Sequence, residues 1–211
     1  PPWRRLFSSF CESKLAVVGL ITLVAIILVA LFAPWISPQD PFDLSQIDIM
    51  DSKMPPGSES YTGQVYWLGT DGQGRDMLSG IFYGLRISLT VGILSGFFAL
   101  IIGTSLGLTA AYFGGKIETL IMRIVDLQLS FPAILVALML LAILGRGVDK
   151  VILALIIVQW AYYARTARSA ALVERRKEYI ESARSLALST PRIIFRHLLP
   201  NCLPPVIVIG T

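Results

Sequence analysis

Three uncharged apolar stretches set the limits of what this chain can become: Leu15 to Gln39, Ile87 to Gly115 and Leu127 to Gly145. A helix of about 20 such residues crosses a hydrocarbon core of roughly 30 Å while satisfying its own backbone hydrogen bonds, for which lipid offers no partners. All three are long enough. Of the 211 residues 55% are hydrophobic and 15% charged, whereas a soluble domain carries roughly 25% charged residues. Lipid is the expected solvent, and an all-α integral membrane protein the expected fold class.

Two further runs are weaker. Val151 to Ala164 lies between Lys150 and Arg165, whose long side chains reach the two interfaces from a short span, and Trp160, Tyr162 and Tyr163 supply an aromatic belt. Leu198 to Thr211 is still apolar where the sequence stops, so the expectation is four complete spans and a truncated fifth. Further spans follow the first run, and no small-x-small pattern marks its outer end. It is expected to stay in place as a helix and not to be a removed signal peptide.

Charge orients these spans. The segment from Ser37 to Leu85 holds Lys53 and Arg75 against seven acidic residues, whereas Arg165 to His197 carries eight Lys or Arg against Glu174, Glu178 and Glu181. Because Lys and Arg are retained in the cytoplasm during insertion, the amino terminus with Arg4, Arg5 and Lys14 is expected inside. The acidic loop then lies outside, Lys116 to Asp126 inside, Arg146 to Lys150 outside and the basic segment inside. The net charge of +4 is thereby a topology signal, and nucleic-acid binding loses its main support. Cys11 and Cys202 both fall near the reducing side, where no disulfide is implied.

The chain is expected to divide into an N-terminal segment with the first span (1–36), an external loop (37–85) and a membrane core (86–211) whose cytoplasmic loop covers 165–200. Pro34 and Pro38 are expected to end the first helix. The small residues Gly92, Ser95, Gly96, Gly103, Ser105 and Gly107 predict close helix packing along one face of the second. In the cytoplasmic loop, Leu188 to Pro191 break two helices, with Ser189 able to cap the second, Pro191 in its first turn and Pro200 at its end. In the first of these helices Ala183 and Ala187 form a small-residue face flanked by Glu181 and Arg184. That face suits a polar protein partner, though a plain solvated amphipathic helix fits as well.

The run Glu181-Ser182-Ala183, then Ala187, then Leu199-Pro200, with Glu178 and Ser189 beside it, resembles the cytoplasmic "EAA, three residues, G, then LP" signature of permease subunits of ATP-binding-cassette importers. Ser182 stands for the first Ala and Ala187 for the Gly. His197 departs from the usual Ile, but Arg196 to Asn201 is similar to the RH-x-LPN of the peptide branch. Leu68 to Asp76, followed by Ser79, Tyr83, Gly84, Arg86 and Ser88, looks like the LGTDxxGRD element preceding the second helix of di- and oligopeptide permeases. Gly69, Asp71, Gly74, Arg75 and Asp76 match it, with Arg75 and Asp76 readable as a structural ion pair or as a contact for a solute-binding protein. Met122 to Asp126 with Phe131-Pro132 is a third match. There Arg123 and Asp126 are placed to pair at the inner interface, and Pro132 to bend the third helix.

The resemblance implies a type I importer transmembrane domain of the second-permease type, moving peptides by alternating access. It implies a second homologous permease, two ATPases that bind the ATP and magnesium and dock on a coupling helix, and a solute-binding protein outside. The permease itself is expected to catalyse nothing and to bind no metal or cofactor. Relatives carrying nickel or glutathione share nearly the same motifs. A channel-like protein without an ATPase would account for the helices but leave the EAA-like loop without purpose. An intramembrane enzyme is disfavoured, because the three long runs hold no His, Asp, Glu or Lys and the one His is His197.

Overall fold

The computed structural model describes residues 10–210. Arg4 and Arg5, the first part of the expected inside cluster, lie outside the described residues. The chain divides into two compact units, Pro1–Thr90 and Val91–Thr211.

In the first unit, helix α1 (Lys14–Ile36) begins at Ser13, whose hydroxyl accepts the amide of Ala16 at 3.3 Å. Its only buried residues are Ala30 and Ala33, while Leu15, Ile21, Leu31 and Trp35 stand exposed. A soluble protein does not leave so continuous an apolar cylinder in water. Pro34 lies inside the helix, contrary to expectation; the helix ends at Ile36, because Ser37, preceding Pro38, is driven to extended backbone.

The following loop is compact. Buried Asp51 ties the short 3-10 turn Ile49–Asp51 to an antiparallel hairpin with two-residue strands, β1 (Ser58–Glu59) and β2 (Val65–Tyr66), and a second 3-10 turn, Leu44–Gln46, is held by Gln39, which donates to the Gln46 carbonyl at 2.6 Å. The Asp51 carboxylate accepts the hydroxyls of Ser60 at 2.5 Å and Tyr66 at 2.8 Å. The loop delivers the chain to helix α2 (Met77–Phe113), 37 residues long.

In the second unit the latter part of α2 packs against helix α5 (Val148–Glu174). The approach is so close that a Cβ on Gly103 would lie 2.3 Å from the Trp160 carbonyl oxygen, and one on Gly107 the same distance from that of Ala164. The expected small-residue face is therefore used here, whereas Gly92 and Gly96 have open space beside them.

The run Leu127 to Gly145, expected as one bent span, is two helices. Amphipathic α3 (Gly115–Ser130) stops at Phe131, which is extended because Pro132 follows it, and α4 (Ala133–Leu144) leaves at 90°. With 12 residues α4 is about 18 Å long, short of the hydrocarbon thickness. The expected Val151 to Ala164 span is the first part of α5, which continues without a break through Arg165 and Arg168 to Glu174. Among the described residues three helical stretches are long and apolar enough to cross a membrane, Lys14–Ile36, Met77–Phe113 and Thr190–Ile209, or four if the bent pair counts as one; α5, which holds the expected Val151 to Ala164 span, is not among them.

After α5 come α6 (Glu178–Ser185), the single turn α7 (Thr190–Arg192), a π-helical stretch Ile193–Leu198, and α8 (Leu199–Gly210). Pro200 does not end this last helix, as expected, but sits in the first turn of α8. The widened π turn before it relieves the clash a proline ring makes with the preceding turn.

Candidate coupling surface

Short helix α6 is held by one face. Ile180 and Ala183 are buried in a cluster with Leu108 and Ala111 of α2, Ala171 of α5, Ile193, Ile194 and Leu198 of the π turn, and Cys202 of α8. Eight residues cannot sustain a helix alone, so this burial is what keeps α6 folded. Ala183 was expected on a partner-facing surface. It is 4% exposed and faces this chain's own core.

The opposite face is open: Glu178, Glu181, Ser182 and Ala187 are exposed. Glu178 and Glu181 fall in the first turn, where the positive end of the helix dipole favours carboxylates. Arg184, the expected charge beside Glu181, falls outside the described side chains. Of the residues beyond α6, Leu199 packs against the cluster, and Ser189 and Pro200 are exposed. Ser189 occupies the N-cap of α7, but its side chain makes no capping bond.

Ala187 has a role that residue size alone did not reveal. Its φ is +53°, and the Leu188 amide donates to the Ala183 carbonyl at 3.2 Å. Together these form a Schellman cap in which Ala187 is the left-handed residue and Leu188 folds back onto the cluster. Glycine is the residue that adopts this conformation without strain.

A polar chain missed in the sequence runs beside the apolar one. Glu174 ends α5, and its carboxylate accepts Lys177 Nζ at 2.6 Å and the Tyr179 hydroxyl at 2.7 Å. Asn201 of α8 donates its side-chain amide to the same hydroxyl at 3.2 Å and to the His197 carbonyl at 2.8 Å. The Lys177 and Tyr179 hydrogen bonds hold the Glu174 carboxyl below its usual range, while burial and the Glu174 carboxylate push Tyr179 up to about 12. The phenol therefore remains a donor at neutral pH. The one sequence signal was Asn201 after Leu199-Pro200; the spacing of Glu174 and Tyr179 across a turn carried none.

The other sequence motifs are placed differently from expectation. Arg123 and Asp126 form no ion pair: Asp126 binds Arg165 of α5, and Arg123 is exposed. A second link between α3 and α5, bidentate at one oxygen, joins Arg168 to Glu118, with Nε at 2.7 Å from Oε1. Arg75 and Asp76 form no ion pair either. Asp76 is buried and caps α2, accepting the Ser79 amide at 2.8 Å and hydroxyl at 2.6 Å, while its own amide donates to Gln39 Oε1 at 2.7 Å. Asp71 closes the preceding turn by accepting the amides of Gln73 and Arg75. Gly74 completes that turn with a φ of +80°, where a Cβ would lie 1.9 Å from the Asp48 carbonyl oxygen; Gly69, at +77°, approaches Met54 O almost as closely. Asp71, Gly74 and Asp76 thus build the entry to α2.

Comparison with known proteins matches residues 100–210 to the family described as the inner membrane component of binding-protein-dependent transport systems. Residues 1–56 match the N-terminal transmembrane domain of oligopeptide transport permease C. A dipeptide transport system permease protein of Alkalihalophilus pseudofirmus is 40% identical over 100% of this chain and 66% of its own length. A di/tripeptide permease of Pseudomonas aeruginosa is 37% identical over 100% and 68%, and a glutathione permease of Pectobacterium atrosepticum 37% over 98% and 66%. The chain thus spans about two thirds of the length of these relatives. Matches covering the apolar helices at both ends, with peptide permeases aligned along the whole sequence, place the chain in the binding-protein-dependent transport inner membrane component family, the type I ABC importer permeases, in its dipeptide and oligopeptide branch.

Proposed function

We propose that this chain moves short peptides across the cytoplasmic membrane by alternating access, driven by ATP that partner subunits bind with magnesium and hydrolyse. The observation that carries the reading is α6: a helix fixed to the membrane core by Ile180 and Ala183 that presents Glu178, Glu181 and Ser182 outward. Such a helix transmits a push from a docked protein into the spans behind it. The ATPase pair supplies that push, a second homologous permease completes the cavity, and a solute-binding protein delivers cargo from outside. The amino terminus and α6 lie in the cytoplasm, the side to which their basic residues retain them. Peptide cargo is supported by the dipeptide and di/tripeptide relatives; glutathione, which another relative carries, is itself a small peptide.

The test is co-purification of the tagged subunit with its ATPases. Glu181→Lys reverses a charge on the exposed face and Ser182→Phe adds bulk to it; each should cut bound ATPase about tenfold, equivalent to roughly 1.4 kcal/mol of association, with membrane insertion unchanged. Wild-type ATPase recovery in both variants would overturn the assignment of α6 as the docking helix.

A further inference from the structure

The chain Glu174–Tyr179–Asn201 joins three elements that the apolar cluster alone would leave free to turn about one another. Glu174 belongs to α5, Tyr179 to α6 and Asn201 to α8. A carboxylate at the C-terminal end of a helix faces the negative end of the dipole, an unfavourable place for it. What offsets that position is the pair of donors the carboxylate gathers. Its two oxygens are both used, one by Lys177 Nζ at 2.6 Å and the other by the Tyr179 hydroxyl at 2.7 Å. The same hydroxyl accepts from Asn201, so one phenol bridges the end of α5 and the start of α8. Asn201 is held in turn by the His197 carbonyl in the π-helical stretch.

The apolar contacts on the other side of α6 are of a different kind. Ile180 and Ala183 fix its depth, but dispersion contacts are non-directional and permit rolling. The two hydrogen bonds of the Tyr179 hydroxyl, 2.7 Å to Glu174 of α5 and 3.2 Å from Asn201 of α8, resist rolling because they lose energy when their angle changes.

We propose that Tyr179 is a positioning residue for coupling: through Glu174 and Asn201 it makes a displacement of α6 a displacement of α8, and so carries movement at the ATPase face into the membrane. This rests on the reading of α6 as the docking helix. Tyr179 touches neither cargo nor nucleotide in this role. Its hydroxyl sets the angle at which two helices follow a third.

The experiment is hydrogen exchange of the complete transporter in lipid nanodiscs, with and without ATP and vanadate, followed separately in α6 and α8. In the wild type, trapping with vanadate should change exchange in both helices together. Tyr179→Phe keeps the ring and removes both hydroxyl bonds; α6 should still respond, and the response of α8 should fall by at least half at unchanged complex yield. Glu174→Gln, made with Tyr179 in place, retains an oxygen that accepts the phenol and should keep most of the α8 response. Asn201→Ala leaves the Tyr179–Glu174 bond intact and should weaken the α8 response alone, which no general loss of folding does. An α8 response at wild-type size in both Tyr179→Phe and Asn201→Ala overturns the inference while leaving α6 as the docking helix. A wild-type complex that holds no ATPase removes the docking reading and the inference with it.

Discussion

At the scale of single residues, Ala187 separates two explanations of why a small side chain stands in the EAA-like signature. A docking contact limits volume; a left-handed cap limits backbone conformation. With φ at +53° the second constraint is present whatever docks there. Ala187→Gly should therefore stabilise α6 by about 1 kcal/mol, seen as slower amide exchange across Glu178–Ser185 in the isolated subunit. Ala187→Leu, which carries the same Cβ, should leave that exchange nearly unchanged, and Ala187→Val should speed it. An Ala187→Gly variant that exchanges faster would rule out strain at this position. The sequence made Ala187 conspicuous for its size, but spacing records side-chain size and not the sign of φ, so the backbone constraint at this position was not legible there. Asp76 was obscure for a similar cause: its neighbour Arg75 advertised an ion pair, while its true partners, Ser79 and Gln39, include one 37 positions away.

At the scale of elements, α3 is tied to α5 by two ion pairs of unequal depth. Glu118 and Arg168 have side chains 23% and 32% exposed, against 61% and 49% for Asp126 and Arg165. Exposed pairs contribute under about 1 kcal/mol, whereas loss of a charged, partly buried hydrogen bond costs about 1.5 to 3 kcal/mol. Glu118→Gln should accordingly lower the thermal midpoint in detergent by several degrees and Asp126→Asn hardly at all, with Glu118→Arg/Arg168→Glu regaining part of the loss. Equal effects at the two sites would contradict this ranking. The hinge between α5 and α6 should also answer to pH. Lys177, then Tyr179, hold the Glu174 carboxyl below its ordinary value of 4.5, so their stabilisation is complete above that value and is lost as pH falls through the lower folded one. Protection of the α6 amides, corrected for the intrinsic pH dependence of exchange, should be flat from neutral pH to about 5 and fall only in stronger acid; a fall near neutrality would point elsewhere. Apolar periodicity located nearly all these helices, and Pro132 announced the bend at Phe131 though not that it would reach 90°; what periodicity missed was the continuation of α5 past Arg165, where charge looked like an end.

At the scale of the whole molecule, composition alone announced the solvent, and α1 shows why: its flanks are apolar on nearly every side, so lipid or neighbouring helices must cover them. The proposed orientation rests on the charge asymmetry. A cysteine at Ser58 in a Cys11→Ser, Cys202→Ser background should react with an impermeant thiol reagent outside intact cells, and one at Thr190 only after permeabilisation; the reverse pattern would invert the topology. The crossing of α2 and α5 sets a further limit, on motion. Gly103 and Gly107 are one turn apart, as are Trp160 and Ala164, and the residues one turn beyond either glycine are Ala99 and Ala111. Sliding the two helices by a turn would bring an alanine methyl to within about the 2.3 Å that only hydrogen now occupies. The pair can tilt about its contact but has no second register to fall into, so whatever moves α5 along its axis carries this part of α2 with it, like two racks meshed at a single tooth.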